Sequence, residues 1–251
     1  GRYVMVFRND YGDMGEQRLE GTHLGLAFSD DGIDWEVEPT PCFKEATRRL
    51  MAESRSGDVR RAYDPRLTVI GGRCYMTFAF DTAHGVRGGV AVTEDFDRWE
   101  ILSTTVPDNR NLALFPERIE GRFIRLERPM PMYGRGWQER FDIWLTDSAD
   151  LRYWGAPRLV LAVEDVPFAD RKIGPAAPPI RTPKGWLTTF HAVDFDASRG
   201  KNGWEAQWQK RYTAGLMILD LDNPAQIVGM ADTPLLAPEA PYEVSGGFRN
   251  N

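Results

Sequence analysis

The feature that most restricts the fold of this chain is a pair of short phrases that alternate along the sequence. One phrase is a glycine followed by an aromatic-rich apolar stretch, and the other is an acidic turn that ends in tryptophan. The glycine phrases begin at Gly1, Gly72, Gly121 and Gly185, and the tryptophan phrases begin at Ser29, Thr93 and Thr146. The units are therefore roughly 50–70 residues long, which is typical of one four-stranded propeller blade.

Each unit is predicted to contain two strands joined by a turn, then the acidic turn and a strand that carries the tryptophan. Aspartate and serine suit the acidic turn because their side chains hydrogen-bond to nearby backbone groups. We expect Trp35, Trp99 and Trp154 to pack between neighbouring sheets. Frequent glycine (24) and proline (17) residues, with 12% aromatic residues, also favour an all-β fold with short strands. A β-sandwich with fortuitously similar hairpins is the alternative to a propeller.

The 251 residues show no composition break and no flexible linker, so one domain over 1–251 is predicted. The best helix candidate is the segment 45–54, which alternatively forms a lid-like insertion. A net charge of −6 argues against a nucleic-acid partner, and no apolar run is long enough to cross a membrane. Cys42 and Cys74 are too few for a disulfide framework and suit a reducing compartment, so a cytoplasmic location is predicted.

Polar residues cluster where the units begin. Asp64 precedes Pro65, which disfavours a helical conformation, and an apolar strand follows. At the head of an inner propeller strand this carboxylate points into the central channel, although a solvated turn has the same sequence. His84 lies in a glycine-rich loop, where it is either functional or structural. Gly88 and Gly89 in that loop are predicted to let the backbone approach a ligand closely.

Three cationic residues occupy corresponding places in successive units, and equivalent places in propeller blades converge on the axis. These residues are Arg110, Arg128 and Lys172. Three converging cations fit a small dianion such as phosphate, because arginine offers forked donors and lysine a point charge. Each cation taken alone has the ordinary alternative of a solvated surface residue.

Other kinds of chemistry lack sequence support. No set of His, Cys and Asp residues has metal-ligand spacing, and no Gly-x-Ser-x-Gly nucleophile motif is present. Aromatic residues are abundant around the polar loops and could stack on sugar rings. They are Tyr63, Tyr133, Trp137, Trp204 and Trp208.

Several motifs follow one another in a fixed order through the chain. They are Tyr-Asp-Pro-Arg-Leu-Thr at 63–68, His-Gly-Val-Arg at 84–87, Asn-Arg-Asn at 109–111, Leu-Glu-Arg-Pro at 126–129 and Lys-Ile-Gly at 172–174. With these motifs the chain resembles glycoside hydrolase family 130, a family of inverting β-mannoside phosphorylases. The resemblance implies a five-bladed β-propeller, of which this chain is expected to lack part of the first blade and most of the fifth. Phrases at 7–12, 106–111, 201–205 and 238–243 resemble the branch that acts on 4-O-β-D-mannosyl-D-glucose.

The resemblance also implies the roles of particular residues. Asp64 is the implied general acid. The implied phosphate-binding residues are Arg110, Asn111, Arg128, Lys172 and His191. The implied sugar-binding residues are Arg8, Asn9, Asp10, Tyr63, Asp81 and His84. No metal or cofactor is implied, because inorganic phosphate is itself a co-substrate.

The implied reaction is reversible phosphorolysis of 4-O-β-D-mannosyl-D-glucose to α-D-mannose 1-phosphate and D-glucose. In the family, the acid reaches the glycosidic oxygen through the mannose O3 hydroxyl. A phosphorolytic enzyme needs only this acid, whereas an inverting hydrolase needs two carboxyl groups. The alternatives are a phosphorylase of β-1,4-mannooligosaccharides or a related β-mannoside, a β-mannoside hydrolase, and a non-catalytic sugar-binding propeller. A homo-oligomer is compatible with the resemblance.

Overall fold

Four antiparallel sheets, each made from one continuous part of the chain, form the framework of the protein. This computed structural model describes residues 1–13, 16, 18–53, 59, 61–198 and 209–244. The first sheet has the order β1-β2-β3. Its strands are β1 (Tyr3–Asp13), β2 (Arg18–Ser29) and β3 (Glu36–Val37), and the helix α1 (Lys44–Glu53) follows them.

The second and third sheets are four-stranded and follow chain order. The second contains β4 (Arg61–Ile70), β5 (Arg73–Thr82), β6 (Gly85–Thr93) and β7 (Glu100–Thr104). The third contains β8 (Asn109–Leu114), β9 (Phe123–Pro129), β10 (Ile143–Ser148) and β11 (Gly155–Leu161).

The fourth sheet has the order β12-β14-β15-β16, and β13 pairs with β14 beside this path. Its strands are β12 (Lys172–Pro175), β13 (Ile180–Thr182), β14 (Gly185–Phe195), β15 (Lys210–Leu219) and β16 (Ile227–Met230). The remaining helical elements are two 3-10 turns, Tyr133–Arg135 and Val163–Asp165, and the short helix α2 (Pro241–Val244).

Apolar side chains fill the space between successive sheets. One cluster surrounds Phe78 between the first and second sheets, and another surrounds Leu112 between the second and third. Between the third and fourth sheets, the rings of Phe115 and Trp186 lie 5.1 Å apart. Burying each such large side chain contributes about 1.5–3 kcal/mol. Sheets that follow one another and pack face to face in this way form a propeller-like arrangement.

The predicted acidic turns form at equivalent places. Asp31, Asp95 and Asp150 each accept hydrogen bonds from the backbone N–H groups of the second and third residues after them. These bonds hold the pKa of each carboxyl below its ordinary value. A fourth turn of the same kind surrounds Asp220, where the sequence has no tryptophan.

Two of the three turn tryptophans pack between sheets as predicted. Trp99 is buried in the cluster between the first and second sheets. Trp154 donates its indole N–H to Ser103 Oγ of the preceding sheet at 3.1 Å. Trp35 is half-buried and donates to the carbonyl of Gly32 in its own turn. It belongs to the first sheet, which has no preceding sheet within the described residues, so the prediction stays untested for Trp35.

The glycine phrases mark one particular strand of each sheet. Gly185 begins β14, and Gly72 and Gly121 lie one and two residues before β5 and β9. Each of these strands is followed by the strand that ends at the acidic turn. β1 has the same relation to the acidic turn at Asp31, so it corresponds to these strands. The predicted count of five blades is not confirmed, because the described residues form four sheets.

Two sequence interpretations are corrected by the packing. The segment 45–54 forms α1 up to residue 53, and its Ala46 and Leu50 are buried in the core rather than forming a lid. Gly88 and Gly89 do not open the backbone to a ligand. A Cβ at Gly88 would meet Leu112, and one at Gly89 would meet the ring of Phe78, so both glycines make room for core packing. None of the helices in the described ranges is long and apolar enough to span a bilayer.

Candidate active site

The innermost strands of the second, third and fourth sheets bring distant parts of the chain to one place. β8 contacts both β4 and β12. These strands carry Asp64, Arg110, Asn111 and Lys172, and Arg128 lies near the end of the neighbouring β9. Arg110 and Arg128 are close enough to Lys172 to help lower its pKa. The structure therefore brings together the three cations from successive units.

Two backbone bulges direct polar side chains into this site. The pairing of β4 with β5 shifts between Tyr63 and Arg66, and that of β8 with β9 shifts between Arg110 and Ala113. Asp64 and Asn111 lie within these shifts, with left-handed φ angles of 54° and 57°. A bulge re-aims a side chain out of the ordinary alternation of a strand. As a result, Asn111 Nδ2 donates to Asp64 Oδ2 at 3.4 Å.

Arg66, whose role no sequence pattern signals, holds the backbone of this region. Its guanidinium group donates to the carbonyl oxygens of Asp64 and Pro175, both at 3.1 Å, and also to that of Ala176. Arg66 is half-buried, and carbonyl dipoles take the place of part of the water around its charge. It fixes the inner strands of the second and fourth sheets relative to each other.

Arg128 is 1% exposed and reaches His191 across the boundary between the third and fourth sheets. Arg128 Nη1 lies 2.9 Å from His191 Nε2. A guanidinium group can only donate, so His191 Nε2 is the acceptor and the imidazole is neutral. Burial and the surrounding cations hold the pKa of His191 well below its ordinary value, which agrees with the neutral form.

Gly174 provides the space that this pair needs. It lies opposite His191 in the pairing of β12 with β14. A Cβ at Gly174 would come within 2.5 Å of His191 Cε1 and 3.2 Å of Arg128 Cδ. Glycine therefore suits this position, because a Cβ here would displace the imidazole and the guanidinium side chain.

Lys172 carries a second part of the positive charge. It is 6% exposed, and burial lowers its pKa to about 7. Its Nζ lies 3.2 Å from Glu139 Oε2, which also binds Lys210 Nζ at 2.6 Å. The two lysines lower the pKa of Glu139 to about 2, although burial acts in the opposite direction.

Three buried polar atoms at this site have no hydrogen-bond partner within the described residues. They are Arg110 Nε, Arg128 Nε and Asn111 Oδ1. Buried polar groups are normally paired, and two unpaired guanidinium donors beside Lys172 form a cradle for an anion. The same ranges contain no group of three His, Cys, Asp or Glu side chains that could hold a metal ion.

A polar network around Tyr63 forms one side of the site. The Tyr63 hydroxyl donates to Asp81 Oδ1 at 2.6 Å and accepts from Arg110 Nη1 at 3.3 Å. Arg61 Nε donates to the other oxygen of Asp81 at 2.8 Å. Burial raises the pKa of Tyr63, so its hydroxyl keeps its proton. Arg61, Tyr63, Asp81 and Arg110 line one open groove.

The first sheet adds another cation beside Asp64. Arg8 Nη1 lies 3.9 Å from Asp64 Oδ1, and Arg8 also covers the ring of Tyr63. Arg8 Nε donates to Asp10 Oδ1 at 2.7 Å, and Thr22 Oγ1 donates to the same oxygen. Asp64 is 24% exposed, so its carboxyl group remains accessible.

Several of the residues predicted to bind or stack on sugar are exposed to solvent. Asn9 is exposed and, by strand alternation, lies on the opposite face of β1 from Arg8. His84 is exposed in the turn between β5 and β6. Tyr133 and Trp137 form an exposed edge-to-face pair in the loop between β9 and β10. Trp204, Trp208 and the phrase at 201–205 lie outside the described residues.

The chain is similar to known proteins in sequence and in fold. The family model for glycoside hydrolase family 130, described as beta-1,4-mannooligosaccharide phosphorylase, matches residues 1–251. The chain is 30% identical over 253 residues to "Beta-1,4-mannooligosaccharide phosphorylase" of Ruminococcus albus, covering 100% of this chain and 68% of that protein. It is 31% identical over 187 residues to "Beta-1,2-mannobiose phosphorylase" of Listeria innocua, covering 74% and 48%.

A third relative is "4-O-beta-D-mannosyl-D-glucose phosphorylase" of Bacteroides fragilis, at 27% identity over 60% of this chain and 37% of that protein. The chain thus spans about two thirds of the length of the Ruminococcus albus relative and less than half of the length of the other two. Among solved structures, the complex of the Listeria innocua enzyme with beta-1,2-mannobiose has a TM-score of 0.73 at 23% identity. The structural match covers 96% of this chain and 71% of the Listeria innocua chain. At this identity the match supports the propeller-like fold alone.

Proposed function

The chain belongs to glycoside hydrolase family 130, and from this premise we propose that it is a mannoside phosphorylase. The observation that carries the proposal is the buried guanidinium group of Arg128. It lies beside Arg110 and Lys172, and its Nε has no partner among the described residues. A phosphorylase must bind inorganic phosphate in line with the bond that breaks, and this arrangement supplies the donors.

Asp64 is proposed as the general acid. Phosphate attacks the anomeric carbon of mannose from the face opposite the leaving sugar, and the bond from that carbon to the glycosidic oxygen breaks. The proton of Asp64 passes to the glycosidic oxygen through the mannose O3 hydroxyl, so the products are α-D-mannose 1-phosphate and a free sugar. Asn111 orients the carboxyl group through its 3.4 Å hydrogen bond to Asp64 Oδ2. Arg8 Nη1 lies 3.9 Å from the other oxygen, Asp64 Oδ1.

We propose a β-1,4-linked mannoside as the substrate. The relative named for β-1,4-mannooligosaccharides matches the whole chain, whereas the relative named for mannosyl-glucose matches 60% of it. Mannosyl-glucose, to which the sequence phrases point, has the same linkage and differs only in the leaving sugar. The Listeria innocua relative is named for β-1,2-mannobiose. The position of the glycosidic linkage, β-1,4 or β-1,2, is therefore the first property of the substrate to test.

A hydrolase of β-mannosides is the second candidate. One solved structure with a TM-score of 0.71 is described in the words "The GH130 family of mannoside phosphorylases contains glycoside hydrolases that target beta-1,2 mannosidic linkages in Candida mannan". Hydrolysis has no use for a buried cation cluster aimed at an anion, because water carries no charge. The retained Arg110, Arg128 and Lys172 therefore favour phosphorolysis.

The test is incubation of the purified protein with β-1,4-mannobiose, mannosyl-glucose and β-1,2-mannobiose, each with and without inorganic phosphate. We expect α-D-mannose 1-phosphate to form only with phosphate, and fastest from a β-1,4-linked substrate. Release of mannose that does not depend on phosphate supports the hydrolase instead. Saturable sugar binding without turnover supports a sugar-binding propeller and overturns the proposal.

A further inference from the structure

Glu139 lies outside the strands, in the segment between β9 and β10, but it contacts the candidate phosphate site. Its Oε2 is 3.2 Å from Lys172 Nζ on β12 and 2.6 Å from Lys210 Nζ on β15. The two lysines belong to the fourth sheet, whereas Glu139 lies between two strands of the third. The carboxylate therefore fixes the ammonium group of Lys172 from across a sheet boundary.

The cations around Lys172 act against its positive charge. Arg110 on β8, Arg128 on β9 and Lys210 on β15 each lower the pKa of Lys172, as burial does. His191 on β14 is neutral and adds no negative charge. Glu139, which is in hydrogen-bond contact with Lys172, acts in the opposite direction and favours the charged lysine. Without this carboxylate, a crowded and buried amine loses its proton more readily.

We propose that Glu139 is a positioning residue for the anion site, which holds the Lys172 ammonium group in place and charged so that the site takes a dianion at neutral pH. This inference rests on the proposed phosphorylase function. Anion binding and proton binding at Lys172 are linked, because a bound anion favours the charged amine and a neutral amine does not attract the anion.

The direction of the pH effect follows from this linkage. Lys172 is charged below its pKa of about 7 and becomes neutral above it. Anion affinity is therefore highest on the acidic side and falls as the pH rises. Replacing Glu139 by glutamine removes the favourable charge, lowers the pKa of Lys172 further and moves the fall in affinity to lower pH. A downward shift of one pKa unit weakens anion binding up to about tenfold at a pH above both values.

The experiment is calorimetric titration with inorganic sulfate from about pH 6 to about pH 9, which spans the pKa of Lys172. Sulfate is used because its charge is constant over this range, whereas phosphate itself titrates. The variants are Glu139→Gln, Glu139→Asp, and Glu164→Gln as the matched control. Glu164 lies in the same region but binds Arg135 at 2.6 Å instead of a lysine.

We expect Glu139→Gln to bind sulfate several-fold more weakly at neutral pH and to recover at acidic pH. Glu139→Asp should restore much of the affinity, and Glu164→Gln should match the wild type. In a Lys172→Arg background the dependence on Glu139 should largely disappear, because arginine stays charged throughout. Equal or tighter sulfate binding by Glu139→Gln at every pH overturns the inference.

The two proposals fail in different ways. If the wild type consumes phosphate but Glu139→Gln keeps the wild-type pH profile, the role of Glu139 is wrong and the phosphorylase function stands. If the wild type neither binds sulfate or phosphate nor needs phosphate for turnover, the proposed function itself fails.

Discussion

Two buried arginines on the same strand, three residues apart, have opposite surroundings. Arg125 is 4% exposed and Arg128 is 1% exposed. Arg125 binds Glu127 Oε2 through Nε at 2.8 Å and Nη2 at 2.7 Å, and its Nε also approaches Thr146 Oγ1 at 3.1 Å. Its guanidinium group packs 4.1 Å from the ring centre of Trp154. This cation is thus balanced by a carboxylate of the protein itself.

Arg128 has no such counter-ion among the described residues. Its hydrogen-bonding contacts are the neutral His191 at 2.9 Å and the weak acceptor Met130 Sδ at 3.8 Å. Burial lowers the pKa of Arg128 to about 9, and the neighbouring Arg110 acts in the same direction. A buried charge without a partner is costly, so the two arginines serve different purposes. Arg125 closes a structural ion pair, whereas the surroundings of Arg128 fit the proposed role of binding an anion from outside the chain.

The carboxylates of Glu127 and Asp64 differ in the same way as the two arginines. The substitution Asp64→Asn tests this difference and has the largest expected effect. Glu127 is a buried counter-ion, whereas Asp64 is accessible and its nearest cation, Arg8, is 3.9 Å away. Loss of the proposed general acid should reduce kcat by about 10²–10⁴-fold, with sulfate affinity and unfolding midpoint close to wild type. The control is Glu127→Gln, which should lower stability and retain turnover in the folded fraction. Turnover near the wild-type rate in Asp64→Asn removes Asp64 from its role.

Arg125→Met should reduce stability strongly. It leaves Glu127 buried without its cation, which costs about 3–5 kcal/mol when one partner of a buried pair is removed. Urea unfolding monitored by tryptophan fluorescence measures the change. Phosphate dependence of the folded enzyme should be unaffected. A loss of phosphate affinity with unchanged stability would reverse the assignment of the two arginines.

Arg128→Met should have the converse effect. Removing a charged hydrogen-bond donor to an anion costs about 1.5–3 kcal/mol, which is roughly 10- to 150-fold in phosphate affinity. Stability should be unchanged or higher, because the variant removes an unpaired buried charge. Steady-state kinetics with varied phosphate gives the first quantity and urea unfolding the second. If stability drops as far as in Arg125→Met, Arg128 is structural.

Gly174→Ala should give the smallest effect. The added methyl group displaces the imidazole of His191 and the Arg128 side chain, so the KM for phosphate should rise several-fold while the KM for sugar changes little. The matched control is Gly229→Ala, since a Cβ at Gly229 meets no atom within 4 Å. Equal behaviour of the two variants shows that the packing around Arg128 does not set phosphate affinity.

The repeating part of the fold is readable from sequence because the same local chemistry recurs. The turns at Asp31, Asp95 and Asp150 use one pattern of side-chain acceptor and backbone donors, so the spacing alone locates them. The convergence of Arg110, Arg128 and Lys172 follows from this repetition, because equivalent strand positions meet at the inner edges of the sheets. Their individual roles come from the resemblance and stay predictions.

The rest depends on contacts that no local pattern signals. Glu139 lies in a loop and meets Lys172, 33 residues further along the chain. Arg66 looks like part of a charged turn, yet it binds carbonyl oxygens about 110 residues away. For Gly88 and Gly89, the sequence suggested a function that the structure does not show. A glycine that lets a ligand approach and a glycine that leaves room for Leu112 or Phe78 look the same in sequence. Side-chain packing between sheets decides each of these cases.

The most direct test of the anion site is a crystal structure of the protein soaked with inorganic phosphate at neutral pH. We expect one phosphate whose oxygens lie within about 3.2 Å of Arg110 Nε, Arg128 Nε and Lys172 Nζ, on the side of Asp64. A phosphate bound elsewhere, with Arg128 still contacting only His191 and Met130, would contradict the proposed site.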